Sequence, residues 1–379
     1  MLFATIMIPF IAIYSSLHYY IGLRFLQSFA PLINTHVSLY WVGVALLALS
    51  PFVTRLAKQI AKGSATAPLV NFGHYWLAAV YYAVVLWAAV DIVRFIAGIT
   101  AAPSLGVGVG VMLAVALILV YGLWNASVTR VTTHHVIINK PVEGLAGLTA
   151  VMVSDLHLGT TFNNSRLAEM VDRIKALQPD IIFFAGDIID GDVSEFAKQE
   201  MPRILRQLTP RFGCYSILGN HEHLGDHSAE AVKHMTSSGI TVLVDKYTKV
   251  NNQFYVVGRN DRLGRYMAKN HAPRKELSAL MDDIDHTLPI ILLDHQPVAL
   301  HEPLANKVDL QLSGHTHNGQ LFPNHLITGR VFEIDWGHLT KGILQVIVSC
   351  GYGTWGPPIR TSGYSEIVEI RIKFVGDDN

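Results

Sequence analysis

The chain opens with long stretches in which charge is almost absent. Charge-free runs cover residues 1–23, 25–54, 63–90 and 95–129. Each exceeds the ~20 residues an α-helix needs to cross the ~30 Å hydrocarbon layer of a bilayer. The densest apolar stretches within them lie near 2–23, 37–53, 75–93 and 105–124, which predicts four transmembrane helices over residues 1–126. Tyr19, Tyr20, Tyr40, Trp41, Tyr75, Trp76 and Trp124 fall near the ends of these runs, where amphipathic rings suit the membrane interface. Buried core helices of this length normally carry a charged, solvent-facing stripe, so the bilayer is the better match.

The pattern then changes. Residues 127–147 read as a connector, and beyond it short apolar runs alternate with amphipathic ones. Residues 149–154, 181–185, 215–218, 240–244, 254–258, 290–294, 310–313, 344–349 and 367–374 read as strands. Leu167, Met170, Val171, Ile174 and Leu177 recur on one helical face, and Met201, Ile204, Leu205 and Leu208 mark a second helix. Further helical stretches fall near 229–236 and 276–281. This half predicts an α/β domain large enough to bury its own core.

Composition sharpens the division. Of 379 residues, 15% are charged and 50% hydrophobic, which excludes a disordered chain. Two cysteines, Cys214 and Cys350, exclude a disulfide-stapled scaffold. The first 126 residues carry five basic side chains and one acidic, net +4, and the remainder is net −4. With no basic tract interleaved with aromatics, nucleic acid is not an expected partner, and no protein partner is evident. Arg55, Lys58 and Lys62 follow the second apolar run and Arg130 follows the fourth, against Arg24 and Arg94 on the other side. Positive residues favour the cytoplasmic side. Four crossings would then leave both the N-terminus and the C-terminal domain in the cytoplasm. Asp91 and Arg94, three apart on one helix, are expected to pair. Gly106-x-x-x-Gly110 is expected to allow close helix packing.

The candidate chemistry sits where strands end. Asp155-Leu156-His157, Gly186-Asp187, Gly219-Asn220-His221-Glu222, Asp294-His295 and Gly314-His315-Thr316-His317 each follow an expected strand. Ligands of open α/β sheets collect beyond the carboxyl ends of strands, so these motifs can meet in one cleft. Imidazole, carboxylate and carboxamide donors suit borderline divalent ions: Mn, Fe, Co, Ni or Zn. Seven donors exceed what one ion takes. Two ions sharing a carboxylate would use them and lower the pKa of a bridging water to give hydroxide at neutral pH.

In this order, the motifs resemble the signature of the calcineurin-like metallophosphoesterases, over about residues 148–374. The resemblance implies a metallophosphoesterase domain of two β-sheets flanked by helices, in four αββα layers, following the bundle of four transmembrane helices that the apolar runs predict. It implies that Asp155, His157, Asp187 and His317 hold one metal and that Asp187, Asn220, His295 and His315 hold the other. His221 would face the substrate phosphate as a non-ligand catalytic histidine. The Gly/Pro loop from Gly351 to Arg360 resembles a segment of bacterial membrane-associated members, and Arg360 is a candidate phosphate contact. Asp190 and Glu222 lie nearby in sequence without an assigned role.

The resemblance implies a metal-dependent phosphoric ester hydrolase cleaving phosphodiester or pyrophosphate bonds. The membrane half concentrates it on lipid-borne phosphates. Related enzymes cleave UDP-diacylglucosamine, so a nucleotide-activated lipid is the leading substrate and a bacterial inner membrane the expected place. One alternative is a broad-specificity phosphodiesterase for soluble substrates that resides at the membrane. Another is a transporter or sensor with a regulatory phosphoesterase domain.

Overall fold

The computed structural model describes residues 2–60, 67–159, 162–190, 193–224, 227–264 and 274–376. Of residues 2–6, 55, 57–60 and 67–71 it describes the backbone alone. The chain divides into two compact units, Met1–Trp124 with Gly356–Pro358, and Asn125–Trp355 with Ile359–Asn379.

The first unit contains four long helices: α1 (Leu2–Ser28), α2 (Val37–Ile60), α3 (Ala67–Ile96) and α4 (Leu105–Ser127). Among the described residues, three are long and apolar enough to cross a membrane: Val37–Thr54, Phe72–Ile96 and Leu105–Ser127. The expectation of four such helices is corrected to three candidates among the described residues. The described part of α1 holds Pro9, Ser15, Ser16, His18 and Arg24, and these dilute its apolar character. Several of its polar groups bond within the unit. Tyr14 Oη donates to the Ala48 carbonyl at 2.7 Å, and Trp76 Nε1 donates to His18 Nε2 at 3.2 Å. Leu39, Leu46, Phe95 and Leu117, on the three span helices, are exposed, as lipid-facing side chains would be.

Two local expectations in this unit change. Asp91 pairs with Arg24 of α1, Nε to Oδ2 at 2.8 Å, and accepts from Tyr20 Oη at 2.5 Å. Arg94 instead donates to the Ala101 carbonyl just past the end of its own helix. Close approach in α4 occurs at Gly108, where an added Cβ would meet Ser28 Cβ at 2.6 Å. Gly110 has nothing within 4 Å. Lys62 lies outside the described residues, as do the side chains of Arg55 and Lys58.

The second unit is built on two mixed sheets. The first has the order β1-β12-β2-β3-β4-β5, from β1 (Thr129–Ile138), β2 (Gly147–Val153), β3 (Ile181–Phe184), β4 (Cys214–Ser216), β5 (Ile240–Val242) and β12 (Ser365–Phe374). The second has the order β10-β11-β9-β8-β7-β6, from β6 (Lys246–Val250), β7 (Phe254–Gly258), β8 (Ile290–Leu293), β9 (Leu310–Ser313), β10 (Gly337–Lys341) and β11 (Leu344–Val348). The strands β2 to β5 run parallel, as do β7, β8, β9 and β11. Part of the stretch read as a connector is therefore a strand. β1 pairs in parallel with β12, from Thr129↔Ser365 to Ile138↔Phe374.

Alternation along each strand divides the core. Ala150, Met152, Phe183, Val256, Ile291 and Leu293 share one cluster between the sheets. Their neighbours Val151, Val153, Ile182 and Phe184 face the other way and pack with Leu167, Met170, Val171 and Ile174 of α5 (Asn164–Ala176). On the far side, Val257, Ile290 and Leu292 pack with Leu277, Leu280 and Met281. Strands buried on both faces read as continuous apolar runs such as Ile181–Phe184 and Ile290–Leu293. Asn163 caps α5 by accepting from the Arg166 amide at 2.9 Å.

Candidate metal centre

The carboxyl ends of five strands bring the motif residues together. Asp155 and His157 follow β2, Asp187 follows β3, and Asn220 and His221 follow β4 of the first sheet. His295 follows β8, and His315 and His317 follow β9, of the second. Ligand atoms of three sets of residues lie within 4.8 Å of one another: Asp155 with His157 and His317, Asp187 with His295 and His315, and His157 with Asp187 and His221. Asn220 joins the second set, its Oδ1 lying 2.8 Å from His315 Nδ1. Asp187 is thus common to two of the three sets, one with His157 and His221 and one with His295 and His315.

The backbone is strained to achieve this. Asp155, His157, Asp187, His315 and His317 have φ of 52°, 50°, 53°, 73° and 51°, in the left-handed region that side chains with a Cβ rarely adopt. Such strain costs of order 1–3 kcal/mol per residue and gathers at functional sites. Gly186, at φ +90°, is needed for space as well, since a Cβ there would lie 2.6 Å from His295 Nδ1.

Hydrogen bonds orient the donors. His295 Nδ1 lies 2.8 Å from the Ala185 carbonyl, which can only accept. That bond puts the proton on Nδ1 and leaves Nε2, 3.2 Å from Asp187 Oδ2, with a bare lone pair in the neutral ring. His157 Nε2 and His317 Nε2 approach to 3.3 Å inside the protein. Burial lowers the pKa of both rings, that of His317 well below 6.5 with His157 adding to the effect. Two neutral imidazoles facing each other beside the Asp155 carboxylate, 3.4 Å from His317 Nε2, form a set of electron-pair donors that a divalent cation satisfies. The residues present fit that group.

Charge is distributed unevenly across the site. Burial opposes charge on His295, but the Asp187 carboxylate outweighs it, and the His295 pKa stands well above 6.5. Burial likewise opposes ionisation of Asp187, yet His295 beside it holds the carboxyl well below its usual range. His315 is lowered by burial and by His295. His221 Nδ1 is 2.8 Å from Asp190 Oδ1. Burial opposes its charge too, but the bond to Asp190 and the Asp187 carboxylate raise its pKa.

Three residues have functions that motif reading left open or misplaced. Glu222 is buried, and its carboxylate accepts from four backbone amides: Ile188 at 2.5 Å, Ile189 at 2.9 Å, Gly219 at 2.7 Å and Asp187 at 3.2 Å. It clasps the turn carrying Asp187 to the turn carrying Asn220. The signal was legible, because an acid at the third position of a helix reaches back to the cap residue. Asp190 orients His221. Arg360, expected to touch substrate, is fully buried instead. Its guanidinium donates to the Gly351 carbonyl at 3.1 Å, the Gly353 carbonyl at 2.5 Å and the His317 carbonyl at 3.4 Å. It braces the turn beneath a ligand rather than facing a phosphate. His223 is also buried, with Nε2 2.8 Å from Asn260 Oδ1.

Known proteins share these motifs. The family profile described as calcineurin-like phosphoesterase matches residues 148–319. A metallophosphoesterase of Aquifex aeolicus is 34% identical over 228 residues, covering 59% of this chain and 84% of that protein. One from Bacillus subtilis is 32% identical, covering 64% of this chain and 85% of that protein. The chain belongs to the calcineurin-like phosphoesterase family. The family is one of metal-dependent phosphoester hydrolases. A transmembrane protein with a metallophosphoesterase domain from Danio rerio is 31% identical over 69% of this phosphoesterase, which spans 62% of that relative. The N-terminal apolar helices and that relative together indicate membrane association.

Proposed function

We propose that this phosphoesterase is anchored in a bilayer and hydrolyses phosphodiester or pyrophosphate bonds, with a nucleotide-activated lipid as the leading substrate. The observation that carries the reading is Asp187. It stands in two clusters of three potential ligands each, one with His157 and His221 and one with His295 and His315. We assign Asp155, His157, Asp187 and His317 to one divalent ion and Asp187, Asn220, His295 and His315 to a second. Bound ions would supply Lewis acidity and water acidified toward neutral pH.

The chain's own residues do the rest. His295 in its neutral form holds the Nε2 lone pair toward the site because its Nδ1–H donates to the Ala185 carbonyl. Asp187 accepts the His221 amide at 2.8 Å through Oδ1, leaving Oδ2 on the His295 side. Burial opposes charge on His221, but the bond to Asp190 raises its pKa, so its Nε2 is suited to deliver a proton to a leaving oxygen or to stabilise phosphoryl charge. The crossings α3 and α4 return residue 129 to the side of Arg55, Lys58 and Lys62 whatever α1 does. Basic residues favour the cytoplasm, so we place the catalytic unit on the cytoplasmic face of a bacterial inner membrane. With three spans, the N-terminal helix starts on the opposite side.

The test is hydrolysis by full-length protein in detergent. Bis-p-nitrophenyl phosphate, p-nitrophenyl phosphate and UDP-diacylglucosamine are offered with Mn²⁺ and with EDTA, beside Asp187→Ala. The expected result is EDTA-sensitive turnover of the lipid nucleotide well above the chromogenic diester, abolished in the variant. Turnover of the simple diester alone would remove the lipid nucleotide and favour soluble substrates.

A further inference from the structure

The segment that follows the metal-binding loop carries an apolar surface that the catalytic unit does not cover. None of the seven residues of the helix His325–Val331 is buried. Yet Leu326, Ile327 and Val331 are large aliphatics, 52%, 62% and 68% exposed. Phe322, just before the helix, is 53% exposed and its ring lies 5.4 Å from that of His325. Trp355, 59% exposed, is drawn to the same segment by Gln320, whose amide accepts from the Trp355 amide at 2.8 Å and donates to its carbonyl at 2.7 Å. Elsewhere among the described residues of this unit, exposed large apolar side chains such as Val131, Ile137, Tyr247 and Ile343 are spread over several strands and loops. A gathered patch of this kind marks an interaction surface.

This surface is hooked to the metal centre. Thr316, between the two ligand histidines, donates to the Asp335 carbonyl at 2.5 Å, and Thr328 of the short helix donates to Asp335 Oδ2 at 2.6 Å. The Phe332 ring lies 6.1 Å from the His315 ring. Whatever the patch binds is therefore held beside the site.

We infer that Phe322, Leu326, Ile327, Val331 and Trp355 dock the catalytic unit onto the surface of a lipid bilayer. The chain itself argues for this occupant. α4 ends at Ser127 and β1 begins at Thr129, so the tether between a membrane-crossing helix and the catalytic unit is a single residue and a bilayer is always within reach. Trp355 is an interfacial side chain by chemistry, and exposed Arg330 on the same helix offers a cation to anionic headgroups. Docking there presents the ligand loop to phosphates at headgroup depth. The inference deepens the lipid-phosphate reading above and rests on it for the choice of substrate.

The test uses full-length protein in phosphatidylethanolamine–phosphatidylglycerol vesicles. An environment-sensitive fluorophore is placed at Ile327→Cys or, as a control, at Lys198→Cys; Cys214 and Cys350 are buried and stay unlabelled. Doxyl lipids should quench the label at 327 and leave the one at 198 bright. Equal brightness would overturn the docking surface. So would shielding of the 327 label in lipid-free micelles that grows with protein concentration, which would assign the patch to a second copy. Ile327→Glu with Val331→Glu should cut turnover of a vesicle-borne phosphodiester roughly tenfold and spare bis-p-nitrophenyl phosphate. Equal loss on both would also overturn it. A quenched 327 label without turnover of any lipid diester would support docking while discarding the lipid substrate.

Discussion

Replacing Glu222 by Gln tests whether the two ligand turns are held by one carboxylate. In the native protein Oε1 accepts from Ile188 and Ile189, and Oε2 from Asp187 and Gly219. Glutamine keeps the shape but turns one acceptor oxygen into an NH₂ donor. Whichever way the amide is flipped, two buried N–H groups then face a donor. Bonds to charged groups are worth ~1.5–3 kcal/mol each, so losing two costs about 3–6 kcal/mol. Burial next to Asp187 pushes the Glu222 carboxyl up to about 7, which trims the charge advantage and favours the lower figure. For a unit of this size ~3 kcal/mol corresponds to a fall in Tm of roughly 6–12 °C. The loosening is local as well. Hydrogen exchange of the amides of Ile188, Ile189 and Gly219 should accelerate before global unfolding, and Mn²⁺ binding by equilibrium dialysis should weaken about 10–100-fold. A Glu222→Gln protein with native amide protection and native Mn²⁺ affinity would refute the clasp.

Three further outcomes follow from the site. Burial opposes charge on His295 but the Asp187 carboxylate raises its pKa well above 6.5, and ligation through Nε2 must expel any proton held there. Mn²⁺ affinity should therefore rise with pH through the neutral range, and calorimetry at pH 7 in buffers of differing protonation enthalpy should register proton release; a buffer-independent heat would contradict it. Asp190→Asn removes the main support for charge on His221, so kcat should drop about 10–100-fold and the limb of the pH profile due to that proton should move to lower pH, with KM little changed. Gly186→Ala combines an unfavourable φ with a clash against His295 Nδ1, and Mn²⁺ binding should weaken at least about tenfold; native affinity would show that the turn relaxes freely.

Much of the catalytic unit was readable from its residues. Strands flanked on both faces, such as Ile181–Phe184, show as unbroken apolar runs because no side chain meets water. The three strands that escaped notice are edges of their sheets. β1 (TRVTTHHVII), β6 (KYTKV) and β10 (GHLTK) carry polar and exposed residues, as unpaired edges do. The motif residues that the fold gathers were legible because each motif terminates a strand. Arg360 was misjudged because sequence shows a cation near a glycine loop but not which way it points. Its real neighbours are carbonyls freed by the tight turn at Gly351 and Gly353, and only the folded chain brings them round it. In the membrane half, spacing within one helix suggested Asp91 with Arg94, whereas packing between helices supplied Arg24.

The position of β12 bears on how the protein is made. It lies between β1 and β2 in the first sheet, so Thr129, two residues past the last apolar helix, waits for Ser365 to emerge before it has a partner. The apolar helices are synthesised long before that. A ribosome still translating the catalytic half would hold a nascent chain whose helices are already inserted and whose first sheet is still open, with β1 and β2 as two separate edges. Pairing across so much intervening chain is slow and prone to wrong partners. A transcript broken before codon 365 would leave a membrane-inserted product that can never close that sheet. Such a product is a natural target for membrane-bound proteases, and it should vanish from cells faster than any full-length point variant of the ligands.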